Sequence, residues 1–130
     1  MKVQSYDKPE VLVKITDDIY RYRWDIHKEE RILDYSTDAE TIVVNDVQWV
    51  ANEVELLAPL SANKIIESAI TKTWSNSQEQ KLVNEYNAAM LGISNGEEAE
   101  RAKEAYSAFL RERAELKAQV ERDCEMLKIK

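Results

Sequence analysis

Near Pro59 the sequence changes its period. Before that point, β-branched and aromatic residues come in short runs that alternate with polar ones. After it, Ala, Leu, Glu, Lys and Arg dominate and apolar positions recur every three or four residues. The first pattern belongs to strands and the second to amphipathic helices. Strands gathered at one end and helices at the other give an α+β chain rather than an alternating α/β one. At 130 residues the chain is long enough to bury a core of its own. It has no internal repeat, low-complexity tract or Gly/Ser linker. The expectation is therefore a single domain, 1–130, with a β-rich subregion at 1–58 and a helical one at 59–130.

The clearest strand is Ile19–Lys28. Tyr20, Tyr22, Trp24 and Ile26 fall on one face, and Arg21, Arg23, Asp25 and His27 on the other. Val11, Val13 and Ile15 alternate with Leu12 and Lys14 in a shorter strand before it. Thr16-Asp17-Asp18 between them supplies turn residues for a β-hairpin. Lys28–Glu40 is charged and patternless and reads as a loop. Thr41–Leu57 is β-like again, with a break expected at Asn45-Asp46. The result is a small antiparallel sheet of three to four strands.

Three helices follow. Ser61 caps the first, which runs to about Trp74 with a stripe of Ile65, Ile66, Ala69, Ile70 and Trp74. Ser77 with Gln80 resembles a capping box for the second, whose stripe is Leu82, Val83, Tyr86, Ala89 and Met90. Gly92 stands where a helix-ending left-handed residue belongs. Ser94 with Glu97 offers another capping box, and the third helix runs to about Leu127, roughly 45 Å. The short connection at 92–96 makes the last two helices a long antiparallel hairpin. Because the second helix is about half as long as the third, the third overshoots it. That overshoot leaves Leu116, Val120, Cys124 and Leu127 as a candidate protein-interaction strip. Either the sheet folds beneath this strip or a second copy covers it, and the reading leans to a homodimer. Arg113, which falls in the stripe, counts against an uninterrupted coiled-coil seam.

Composition removes most chemistry. With two Gly, two Pro, one His and one Cys, the chain has neither a Gly-rich phosphate loop nor a Cys/His zinc set. A lone Cys makes no intramolecular disulfide, so a reducing compartment is expected. No apolar run is long enough to span a membrane, and MKVQSYDKPE lacks the apolar stretch of a secretion signal. The net charge of −7 speaks against a nucleic-acid footprint. It is concentrated in front, where residues 1–57 hold seven basic and thirteen acidic side chains. Tyr20-Arg21-Tyr22-Arg23-Trp24 interleaves aromatic and basic residues, but in a strand the two types face opposite ways. Core aromatics with solvent arginines is the better reading. His27 reads as a surface histidine and Cys124 as a packing residue or bystander. Asp17-Asp18, Glu29-Glu30 and Glu97-Glu98 read as surface acids rather than cation ligands. No catalytic, metal or cofactor-binding residue is expected, and no cofactor.

Three stretches together resemble a known group: YRYRWDIHKEE at 20–30, EQKLVNEYNAAMLGI at 79–93 and AYSAFLRERAELKAQVERDC at 105–124. They are similar to small proteins encoded in phages and prophages of gut Bacteroidales, commonly among tail and tail-fibre genes. A β-rich front with a charged helical tail also resembles the layout of tail-fibre assembly proteins of other phages. The resemblance implies a non-enzymatic protein-binding role, as a minor virion component or a tail assembly factor. The implied partners are phage structural proteins or a second copy of the chain, in the cytoplasm of the bacterial host or in the virion. An alternative is a regulatory or host-takeover protein whose acidic front binds a bacterial partner. A hydrolase using the acidic clusters is the third reading.

Overall fold

The computed structural model describes residues 2–36 and 41–130. It is α+β: four antiparallel strands, then three helices. The chain divides into two compact units, Met1–Pro59 and Leu60–Lys130, at the subregion boundary read from the sequence.

In the first unit, β1 (Lys2–Ser5), β2 (Leu12–Lys14), β3 (Ile19–Ser36) and β4 (Thr41–Leu57) form one sheet in the order β1-β4-β3-β2. The β2–β3 hairpin closes as expected. The Ile15 and Thr16 amides both donate to the Ile19 carbonyl, and the Thr16 hydroxyl accepts from the Asp18 and Ile19 amides. Tyr22 and Trp24 are buried and stack at 5.7 Å between ring centroids. On the opposite face Arg23 holds Glu53 across the β3–β4 pair at 2.8 Å, with Arg21 at 3.8 Å from the same carboxylate. The aromatic–basic run is thus core on one side and cross-strand ion pairs on the other, as its alternation requires.

Four features of this sheet differ from the sequence reading. β1 is an additional strand, paired with β4 from Lys2↔Asn52 to Ser5↔Trp49. The expected loop at 28–40 is strand as far as Ser36, and positions 37–40 lie outside the described residues. No break occurs at Asn45-Asp46, because both strands stay in register from His27↔Val50 to Ser36↔Thr41. Finally, β3 carries a bulge. Trp24 pairs with Asn52 and His27 with Val50, so two β3 residues stand against one on β4. Asp25 adopts a left-handed φ of 54° there. One extra residue reverses the alternation beyond it. His27 therefore shares the face of Tyr22 and Trp24 instead of that of Arg21 and Arg23. Trp49, pairing with Lys28, lies on the arginine face, where Lys8 and Lys28 approach its ring at 5.6 and 5.1 Å.

The second unit consists of α1 (Ala62–Thr73), α2 (Asn76–Met90) and α3 (Gly96–Leu127). Ser61 caps α1 by accepting the Lys64 amide, and α1 stops at Trp74 as read. The α2 capping box is made by Ser75 and Gln78, two residues earlier than expected. Ser94 and Glu97 form no box: Asn95 precedes α3 without a side-chain cap. Helices α2 and α3 are the antiparallel hairpin, with Tyr86 against Tyr106 and Glu79 against Arg113. Arg113 leaves the apolar seam by reaching this carboxylate in the first turn of α2, at 3.7 Å.

Helix α1 changes the expected picture of the overshoot. Its first amide, from Ala62, donates to the Lys130 carbonyl, and at its other end Trp74 meets Phe109 edge-on at 5.3 Å. It therefore runs antiparallel along the distal half of α3, where α2 does not reach. End to end, α1 and α2 flank most of the long helix.

Candidate protein-interaction surface

The strip singled out from sequence is largely interior. Val120 is fully buried, Leu116 and Cys124 nearly so, and only Leu127 is partly open. The premise of an uncovered overshoot is thereby corrected: Leu116, Val120 and Cys124 belong to the core. Burial raises the Cys124 thiol above its ordinary range, and Asp123 and Glu121 add to the shift. A thiol held protonated and out of solvent is a packing group rather than a nucleophile.

Exposed apolar surface gathers instead where α2 turns into α3. Gly92 takes φ 75°, its amide donates to the Ala89 carbonyl, and the Ile93 amide reaches back to Ala88. These two bonds close the helix in the geometry that a left-handed residue permits. They hold the turn in one shape while pointing its side chains outward. Met90 is 58% exposed, Leu91 76% and Ile93 75%. Beneath them Ala89, Ala99 and Ala102 form a small buried cluster that lets the helices approach closely. Beside them lies a shallow depression of about 610 Å³, lined by Ala89, Ser94, Gly96, Ala99 and Lys103 among others. The Ser94 hydroxyl is a buried oxygen there with no hydrogen-bond partner.

The rim of this tip is acidic. Positions 85–104 carry five Glu against Arg101 and Lys103. Three of the five are paired, Glu97 with Arg101 at 3.1 Å, Glu100 with Lys103 at 3.7 Å and Glu85 with Lys81 at 3.9 Å, and Glu98 and Glu104 complete the rim. Three apolar anchors within a carboxylate rim suit a partner that offers an apolar pocket edged by Lys or Arg. The sequence reading places Met90 in the α2 stripe and does not single out Leu91 or Ile93. Apolar residues on both sides of a helix-ending Gly were the available signal.

His27, Asp17, Glu29 and Glu97, also considered from sequence, are engaged locally. His27 bridges the bulge through its two ring nitrogens, Nδ1 at 2.8 Å from the Asp25 carbonyl and Nε2 at 3.0 Å from the Glu29 carboxylate. These bonds raise its pKa, the backbone bond most, then Glu29. Asp17 pairs with Lys14 and Glu97 with Arg101. Among the described residues no three His, Cys, Asp or Glu side chains converge as a metal site needs, and no helix is long and apolar enough to cross a membrane. Comparison with protein families, with curated proteins and with solved structures finds no match for the chain.

Proposed function

We propose that the chain is a non-enzymatic protein-binding protein of phage origin, a minor virion component or a tail assembly factor, and that the α2–α3 tip is its contact. The observation that carries the binding role is the outward display of Met90, Leu91 and Ile93 on a turn fixed by its own backbone bonds. Monomeric surfaces scatter such side chains, and clustering them on a rigid projection favours recognition. The phage assignment rests on the resemblance of the segments at 20–30, 79–93 and 105–124.

The test is retrieval of partners from cells in which the phage replicates, with wild type beside Leu91→Asp with Ile93→Asp. Loss of phage structural proteins from the retrieved set supports the reading. Leu57→Asp, an exposed apolar position in the first unit, should leave the set intact. Mass spectrometry of purified particles then separates a virion component from an assembly factor. An unchanged set with the tip variant would overturn the assignment of the contact, and a set without phage proteins would overturn the origin.

A further inference from the structure

The β3–β4 ladder extends well beyond the two strands that flank it. β2 covers β3 only at Tyr20–Tyr22, and β1 covers β4 only at Trp49–Asn52. Among the described residues, from Glu29↔Gln48 out to Ser36↔Thr41 the sheet is two strands wide, an arm of about 25 Å at roughly 3.4 Å per residue. A two-stranded ribbon is marginal in water; three or more strands with an apolar face are needed for stability of its own.

The two long edges of this arm are not equivalent. On β3, the bulge at Asp25 is followed by Lys28, Glu29, Glu30, Arg31 and Asp34. Bulges and charges are the devices that keep an edge from pairing with another chain. On β4, residues 41–48 read TIVVNDVQ: five β-branched residues, one charge and no bulge. Immediately beyond, at 49–52, the same edge already accepts β1 as an antiparallel strand.

We propose that two copies of the chain pair antiparallel through this β4 edge, residues 41–48, about a two-fold axis perpendicular to the sheet. The surface is self-complementary, as a two-fold contact requires. When Asn45 stands opposite Asn45 of the second copy, Val43 stands opposite Val47 and the one charge, Asp46, opposite Val44, so no like charges meet. Such an axis keeps the same face of both copies on one side. Leu33↔Val44 and Tyr35↔Ile42 are register pairs two positions apart, hence on one face. The arm becomes four strands wide, β3-β4-β4-β3, with these apolar positions from both copies on one side. The main-chain groups on this edge of β4 are then paired from Thr41 to Asn52, by the second copy and by β1.

Sedimentation velocity and hydrogen exchange of the intact chain test this. Wild type is expected to be a dimer at high micromolar concentration, with the alternate amides of 41–48 that point away from β3 protected in the dimer and exposed on dilution to monomer. Val43→Lys with Val47→Lys is expected to abolish the dimer while leaving the far-UV circular dichroism unchanged. A wild type that stays monomeric at high concentration overturns the proposal. So does a dimer in which exchange at 41–48 is the same at every concentration. Should the lysine variant fail to fold, exchange of the wild type decides alone.

Discussion

Val120 has no exposed surface and lies on the part of α3 that α1 accompanies. Val120→Ala removes two carbons, worth about 0.8 kcal/mol each in transfer alone. The unfilled space adds to that, and the expected loss is about 2–3 kcal/mol. At a typical urea dependence of about 1–3 kcal/mol per molar, the unfolding midpoint falls by roughly a molar or more. Urea titration followed at 222 nm reads the helical unit directly. Met126→Ala, six residues on but 65% exposed, is the control and should stay within about 0.5 kcal/mol of wild type. The Val120 loss should also be the same over a hundredfold range of protein concentration, because the covering surface belongs to the same chain. A loss below about 0.5 kcal/mol, or one that grows with dilution, would show that α3 is closed by something other than α1 and would refute the reasoning.

Ser75→Ala should cost about 1 kcal/mol of helix stability through loss of the α2 cap, and Ser77→Ala much less, by the same urea titration. Gly92→Ala meets no atom within 4 Å, so its cost is backbone strain alone, about 1–2 kcal/mol. Cys124 should resist iodoacetamide in the native protein and react once the chain is unfolded, with rate measured by mass spectrometry. His27 should titrate above 6.5 by NMR. Its contribution to stability is then complete below 6.5 and declines as pH rises through the folded value, and His27→Gln should flatten that slope.

Much of the helical unit was legible because its signals are local. Ser61 before an apolar stripe, Gly92 after one and the long stripe to Leu127 each place an end to within a residue or two. The capping box shows the limit of such signals. Ser75 with Gln78 and Ser77 with Gln80 both satisfy the motif, and the choice is made by where α1 lets go. Trp74 closes α1 in extended geometry, so Ser75 is the first residue free to cap. The cover over Leu116 and Val120 was readable in principle. The first two helices hold 12 and 15 residues against 32 in the third, and laid end to end they nearly match it. Pairing only consecutive helices hid that arithmetic. The exposed tip was missed because a helical stripe is read continuously up to its cap, whereas the last turn of α2 has already left the seam.

The sheet was less legible because one residue decides its phase. Up to Trp24 the alternation of aromatic and basic residues states plainly which face is interior. Asp25 then takes a left-handed conformation without the Gly that would announce it. Every position beyond is moved in register to the other face, and a strand read as one rigid alternation assigns each of them wrongly. Without that phase change, Ile32, Leu33 and Tyr35 scatter among Glu, Arg and Asp and look like loop. With the register in hand, Leu33 and Tyr35 fall in line with the Tyr22–Trp24 face. The bulge is held by His27, whose ring spans from the Asp25 carbonyl to the Glu29 carboxylate. The residue that looked like a bystander on a polar face thus stabilises the phase change that put it on the other one. Its replacement should be felt along the arm as well as at the bulge itself.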